Sequence, residues 1–345
     1  MYNYKWKLKD TVFTKDKGNV FSCFACGGGS SMGYKLAGFD VIGVNEIDPR
    51  MMEVYKVNHN PKYSYLEGIQ AFKDRNDLPG ELFDLDILDG SPPCSSFSMA
   101  GNREKDWGKE KKFREGQAEQ VLDTLFFDFI DLAGKLKPKV VIAENVKGIL
   151  LGNAFKYVKE IYKRMDKSGY YLQHWLLDAS KMGVPQRRER VFFIGLRKDL
   201  AEPFMESVDL FTQKPKLILS FNEPEIAFDT MTNNLEITLE NTELTDLYKL
   251  YWQQAKEGKT VGKFGAIHKA WKHYPLNTIT TGHIFHPFEM RTLGKQEYCV
   301  GGSYPLDYNF IKNDPKYLIG MSVPPVMIAQ IANQVYKQWL SKMNP

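Results

Sequence analysis

The sequence predicts an α/β fold, on three observations. Between residues 19 and about 198, short apolar stretches bounded by turn residues alternate with segments of helical periodicity. The first stretch, residues 19–24, breaks into a glycine-rich turn and is followed by a helix, a second apolar stretch and an acid. Another, residues 83–89, runs into Gly90-Ser91-Pro92-Pro93-Cys94-Ser95-Ser96-Phe97-Ser98, where two prolines stiffen a turn that carries a thiol just past a strand end. In an open α/β sheet, ligands and chemistry collect at the carboxyl ends of the strands.

A chain of 345 residues accommodates a main domain with a large core and a smaller second one. Its 43% hydrophobic and 26% charged residues exclude a disordered or fibrous chain. The net charge of +4 suits nucleic acid without requiring it. Four scattered cysteines, Cys23, Cys26, Cys94 and Cys299, do not make a disulfide framework and point to a reducing compartment. With no apolar h-region at the start and no apolar run long enough for a bilayer, a soluble cytoplasmic chain without membrane contact is expected.

Residues 1–18 are polar and unpatterned, an arm lying on the domain. After the strand at 19–24, Ala25-Cys26-Gly27-Gly28-Gly29-Ser30-Ser31-Met32-Gly33 forms the turn. A helix to about residue 38 follows, then a strand at 40–44 ending in Asn45-Glu46-Ile47-Asp48. Such a unit brings main chain close to a nucleotide-like ligand, and an acid some 20 residues on can take ribose hydroxyls. Gly27, Gly29 and Gly33 miss the dinucleotide spacing by one residue, which leaves other adenosine cofactors open. Cys23 and Cys26 have CxxC spacing, but no second pair completes a zinc site, so no metal is expected. The charged stretch 99–112 reads as a surface loop or, beside a nucleophile, as a lid.

Leu122, Leu125, Phe126, Phe129, Leu132, Ala133 and Leu136 recur at helical spacing and predict a helix over 118–136, stopped by Pro138. A strand at 140–143 ends at Glu144-Asn145-Val146. A glutamate there is costly to bury ionised without a task, which makes Glu144 the leading general acid. A helix over 154–167 and strands at 170–177 and 191–196 follow, the last preceded by Gln186-Arg187-Arg188-Glu189-Arg190. Arg188 and Arg190, two apart at a strand start, suit a phosphate or a base carbonyl. From Asp199 the alternation stops. One helix is expected between Asn241 or Thr242 and Gly258, with Leu244, Leu247, Tyr248 and Tyr251 as its stripe. Lys259, Lys263, His268, Lys269, Lys272 and His273 then interleave with Phe264, Trp271 and Tyr274, a segment that suits nucleic acid or a solvated rim. A helix over 326–339 closes the chain.

Together these stretches resemble the cytosine-C5 DNA methyltransferases, nearly from end to end and in family order. Pro92-Pro93-Cys94, Glu144-Asn145-Val146 and Gln186-Arg187-Arg188-Glu189-Arg190 are the most specific matches; Arg291-Thr292-Leu293 with Glu297, and Gly320-Met321-Ser322-Val323-Pro324-Pro325, resemble the last two motifs. The resemblance implies a doubly wound, mostly parallel sheet of the S-adenosylmethionine-dependent type, formed by residues 1–198 and 311–345, with a target-recognition domain at 199–310. It implies Phe24, Ala25, Gly27, Gly29, Glu46, Ile47, Ile69, Pro93, Leu125, Ser322 and Val323 as contacts for S-adenosylmethionine. It implies Cys94, Glu144, Arg188 and Arg190 as the catalytic group. Departures from the family pattern are Ser22 for an aspartate, Ile47 for a tryptophan, Gly68 for the acid at the adenine, and Met321 for an asparagine.

The implied chemistry is covalent. Cys94 adds to carbon 6 of a flipped-out cytosine, Glu144 bonds N3 and the exocyclic amine, Arg188 or else Arg190 holds the carbonyl and favours the thiolate, and carbon 5 takes the methyl group, after which loss of the C5 proton and of the thiol leaves 5-methylcytosine. The partners implied are double-stranded DNA and a cognate restriction endonuclease, in a bacterial or phage-infected cell, with the enzyme monomeric. The rivals are tRNA as the polymer, a nicotinamide-dependent dehydrogenase, and a catalytically silent DNA-binding module.

Overall fold

A computed structural model describes residues 2–93, 124–152, 154–207, 213–240, 242–261 and 267–343, and the main chain of 110–111 and 120–121. Cys94, Leu122, Asn241, Lys263, Phe264 and nearly all of the stretch 99–112 lie outside the described residues. The chain forms two compact units. The larger comprises Phe13–Leu177, Glu189–Leu219 and Ile331–Pro345; the smaller, Met1–Val12, Asp178–Arg188 and Ser220–Gln330.

The larger unit holds a seven-stranded sheet. In chain order its elements are β1 (Asn19–Cys23), α1 (Gly29–Ala37), β2 (Asp40–Glu46), α2 (Pro49–His59), β3 (Tyr63–Leu66), α3 (Ile69–Asp74) and β4 (Ile87–Gly90). A two-residue ladder joins β5 (Glu110–Lys111) to β6 (Gln120–Val121), and α4 (Leu125–Leu136), β7 (Val140–Val146), α5 (Ala154–Lys167), β8 (Tyr170–Asp178) and β9 (Glu189–Arg197) follow. The strand order is β3-β2-β1-β4-β7-β9-β8, with β3, β2, β1, β4 and β7 mutually parallel and β9 antiparallel to β7. The order reverses between β1 and β4, the switch point at which such sheets bind ligands. This is the α/β architecture the alternation predicts.

Local chemistry sets the element ends. Helix α1 lies between Gly28 and Gly38, both left-handed at φ 95° and 96°. Asp48 caps α2 by accepting the Arg50 N–H at 2.8 Å, with Pro49 in the first helical position. The helix expected from 118 starts only at Leu125, because residues 120–121 are paired as strand; from there the predicted stripe is fully buried. The elements α2, β3 and α3 had no sequence expectation. Their apolar residues are interrupted by polar ones, and β3 is half exposed. The closing helices include a window apolar enough to match a membrane span by length and composition, contrary to the sequence expectation; 78% of that window is buried within the protein.

In the smaller unit, Trp6 of the arm donates its Nε1–H to the Ser303 carbonyl at 3.0 Å. A three-stranded sheet joins β12 (Thr260–Val261), β13 (Ile267–Lys269) and β14 (Ile284–Phe285), after a hairpin in the larger unit, β10 (Met205–Ser207) with β11 (Gln213–Pro215). Arg291 makes a bidentate pair with the fully buried Glu297, at 2.7 and 3.0 Å. Two expectations are corrected here. The stripe of the helix Asp246–Gln254 excludes Leu247, which is 55% exposed, while Tyr248 and Tyr251 pack with Leu244 and Phe285. Of the basic residues expected on a surface, His268 and Lys269 are buried, the Lys269 Nζ lying 3.5 Å from the Trp252 ring centre.

The tightest junction in the sheet is Gly90, where an added Cβ would come 2.6 Å from the buried Phe129 ring. Gly90→Ala is therefore expected to destabilise by about 1–3 kcal/mol through overpacking. Phe129→Leu in the same chain should recover part of the loss, a non-additivity that urea unfolding of both single variants and the double variant measures.

Candidate active site

Five parallel strands deliver their carboxyl ends to one edge of the sheet, and antiparallel β9 brings its first residues to the same edge. There β1 gives way to a turn that is left-handed at Phe24 (φ 51°), Cys26 (φ 49°) and Gly28 (φ 95°). Two non-glycine residues in that region carry a conformational cost that the surroundings must fix. Glu46, at the end of β2, does so. Its Oε2 accepts the Cys26 N–H at 2.7 Å and its Oε1 accepts the Asp48 N–H at 2.9 Å. Burial pushes the Glu46 carboxyl up and these amides draw it back. Behind the turn, a Cβ on Gly28 would strike His59 Nε2 at 2.1 Å. His59 stacks on Tyr55, whose hydroxyl donates to Ser31 Oγ at 2.8 Å. Ala25, Gly27 and Gly29 complete the turn as buried main chain.

Further along the edge, Ile47 is half-buried beside Gly68; a Cβ there would lie 3.6 Å from Ile47 Cδ1. Glu67, next to that glycine, is paired with Arg75 at 3.2 Å. Ile69 and Leu125 are buried in the main core behind the edge. After β4, Pro93 is half-buried, and the Pro92 carbonyl accepts the Asn145 Nδ2–H at 3.2 Å. Asn145 therefore fixes the main chain that leads to Cys94. Beside it, Glu144 Oε1 meets Arg190 Nε at 2.9 Å, the side chains 12% and 15% exposed. Glu144 is thus not a lone buried acid: a guanidinium from the neighbouring strand offsets its burial.

Phe24, Glu46, Ile47, Pro93, Glu144 and Arg190 come together along this edge. Arg188, Ser322 and Val323 belong to the smaller unit. Arg188 is 3% exposed, and its guanidinium donates to the carbonyls of Ile279 (3.1 Å), Gly320 (2.9 Å) and Ser322 (2.9 Å), tying three segments of that unit. Arg188 precedes β9 and Arg190 lies within it, so the two guanidinium groups have different partners.

Sequence reasoning missed Asp89. It sits in β4 opposite Ser22 of β1 and is 2% exposed. Its Oδ2 accepts from Ser22 Oγ at 2.7 Å and its Oδ1 from the Tyr34 hydroxyl at 3.1 Å. Burial pushes its carboxyl up to about 7, the two hydroxyls opposing and the Glu144 charge adding. The available signal was an acid inside an apolar strand.

A family model described as C-5 cytosine-specific DNA methylase matches residues 18–337. The type II methyltransferase M.Sau96I of Staphylococcus aureus is 36% identical over 371 aligned residues, covering 99% of this chain and 82% of that protein. M.FnuDI of Fusobacterium nucleatum is 37% identical over 182 residues, and M.NgoPII of Neisseria gonorrhoeae 35% over 186; in each the match spans about half of the relative's length. Among solved structures, a DNA modification methyltransferase encoded within an Escherichia coli prophage superposes with a TM-score of 0.70 at 19% identity, over 93% of this chain and 99% of that one. Spodoptera frugiperda DNMT2 gives 0.64 at 18%, over 92% and 99%.

Two stability effects follow from the edge. Arg190→Ala leaves Glu144 without its partner and is expected to cost about 3 kcal/mol in urea unfolding; adding Glu144→Gln should recover much of that. The second effect is pH-dependent. Because the Asp89 carboxyl is raised on folding, the folded chain binds the extra proton between about pH 4 and 7. Its stabilising contribution is therefore complete in acid and lost as pH rises through 7, with a slope of at most about 1.4 kcal/mol per pH unit. Asp89→Asn should flatten that slope in thermal or urea unfolding between pH 5 and 8.

Proposed function

The chain belongs to the C-5 cytosine-specific DNA methylases, and from that premise we propose that it methylates carbon 5 of a flipped-out cytosine within a short DNA sequence, with S-adenosylmethionine as donor. The observation that carries the reading is the sheet edge itself, where Glu144 with Arg190, the turn after β1, and the Asn145-anchored segment before Cys94 meet at the switch point. The donor set fits such a cofactor. Glu46 can accept ribose hydroxyls on lone pairs that its two amide bonds leave over, Phe24 and Ile47 present half-buried apolar faces, and buried glycine main chain leaves room for close approach. When bound, it supplies an electrophilic methyl group.

Cytosine carbon 5 is a poor nucleophile until the ring becomes enamine-like. The Cys94 thiolate does this by adding to carbon 6, while Glu144 bonds N3 and the exocyclic amine. We assign to Arg190 two tasks: it keeps Glu144 in place through the 2.9 Å pair, and it offers the positive charge that favours a thiolate and can meet the pyrimidine carbonyl. Arg188, engaged with three carbonyls, is read as a clamp of its own unit. Target reading falls to the stretch 199–310, where Lys259, Lys272, His273 and Tyr274 are exposed. A base must leave the duplex to meet these groups. The type II relatives support a restriction endonuclease as the cognate partner.

Transfer of tritiated methyl from S-adenosylmethionine to unmethylated genomic DNA, followed by bisulfite sequencing, tests the reading. Protected cytosines in one recurring context are expected; no incorporation into DNA, with tRNA assayed alongside, would reject it. Cys94→Ser should lower incorporation by more than about a thousandfold, the order expected when a covalent nucleophile is removed.

A further inference from the structure

Asp89 has no task in the chemistry above, yet it occupies the switch point between β1 and β4. Its two oxygens accept from Ser22, which precedes the glycine turn, and from Tyr34, which follows it on α1, so one carboxyl ties both ends of the turn. Five residues further along the chain stands Cys94.

The three carboxyls of this edge differ in what offsets their charge. Glu46 has two main-chain amides and Glu144 has a guanidinium. Asp89 has two neutral hydroxyls, and among the described residues no cation pairs with it. The titratable groups that act on it or feel it are Cys23 on β1, Tyr34 on α1, Tyr55 on α2 and Glu144 on β7; none supplies a positive charge. A buried acid so placed is neutral unless a cation arrives. The 2.7 Å contact with Ser22 can persist in either state, because a serine hydroxyl donates to a carboxylate and accepts from a carboxylic acid, and it favours the carboxylate.

Given the S-adenosylmethionine reading, on which this rests, we propose that Asp89 is a positioning residue that exchanges a proton with the cofactor cycle. Held neutral in the empty turn, it releases its proton to solvent when the cationic sulfonium donor binds, and keeps it when the uncharged thioether product binds. The sulfonium thereby acquires a counter-charge that the product does not need: above the pH at which Asp89 ionises unaided the site favours donor over product, and below it donor binding must first expel the proton and weakens, while product binding is unaffected.

Calorimetric titration with S-adenosylmethionine and with S-adenosylhomocysteine, each in two buffers of different ionisation enthalpy, counts the protons released. At pH 6.5, where an acid titrating near 7 is still mostly protonated, wild type should release about three quarters of a proton more than Asp89→Asn on binding the donor, and no more than that variant on binding the product. The ligand's own amino group contributes equally in both proteins and cancels. Donor binding with the same proton count in wild type and variant overturns the proposal, as does an equal Asp89-dependent release with the product. Failure of the donor to bind at all would instead remove the cofactor reading, and this proposal with it. Should Asp89→Asn not fold, Ser22→Ala replaces it: losing a hydrogen bond that favours the carboxylate should move the donor-linked release to higher pH, and an unmoved profile overturns the proposal.

Discussion

Burying charge at the edge of a parallel sheet is the constraint on which the rest of the structure depends. The strands β1, β2, β4 and β7 are buried on both faces, as parallel strands covered by helices must be, so a carboxylate at their ends has little water to solvate it. Each such acid therefore needs an offset from a neighbouring element. Glu46 finds it in the amides of Cys26 and Asp48, and in doing so fixes a left-handed turn. Glu144 finds it in Arg190 across the antiparallel pairing of β7 with β9. Asp89 finds two hydroxyls. Electrostatic need and edge geometry go together, because each acid has at least one offset from an adjacent strand or from the turn that follows it.

The reversal of β9 gains meaning from this. A parallel strand beside β7 would bring its carboxyl end to the edge, whereas β9 brings its beginning, and the run Arg187-Arg188-Glu189-Arg190 lies there. The register places Arg190 opposite Val146, two residues beyond Glu144, close enough for a 2.9 Å contact. Arg188 lies outside the strand and its guanidinium is held by carbonyls of another part of the chain. Proximity in sequence made the two arginines look alike; the end of the ladder separates them.

Much of this was legible in the chain. Strands β1, β2, β7 and β9 are runs of apolar residues ended by polar ones, and α5 runs over 154–167 as its periodicity predicts. Glu46, Glu144 and Pro93 stood out because chemistry-bearing residues followed such runs. What stayed hidden depends on contacts between segments far apart in sequence. The pairing at 120–121 shortens α4, the Trp252 ring under Lys269 turns an apparent surface cation inward, and Asp89 looks like a strand boundary until Ser22 and Tyr34 are seen around it. The departure at Ser22 is of this kind. Read alone, it is a missing carboxylate; in the sheet, the acid stands on the adjacent strand, directly opposite the serine.

The same edge explains why the segment before Cys94 needs so little sequence to be stiff. Gly90 is pressed against Phe129, so the strand cannot shift toward α4 without a clash. Two residues on, the Pro92 carbonyl is held by Asn145, whose own neighbour is Glu144. Two prolines restrict the dihedrals between these anchors and the cysteine. In the proposed reaction the thiolate and the glutamate must act on the same ring, one at carbon 6 and the other at N3, and a shift of about 1 Å between them is expensive in rate. Glu144 is set by the ladder of β7, and Pro92, two residues before the cysteine, is held to that same strand by Asn145.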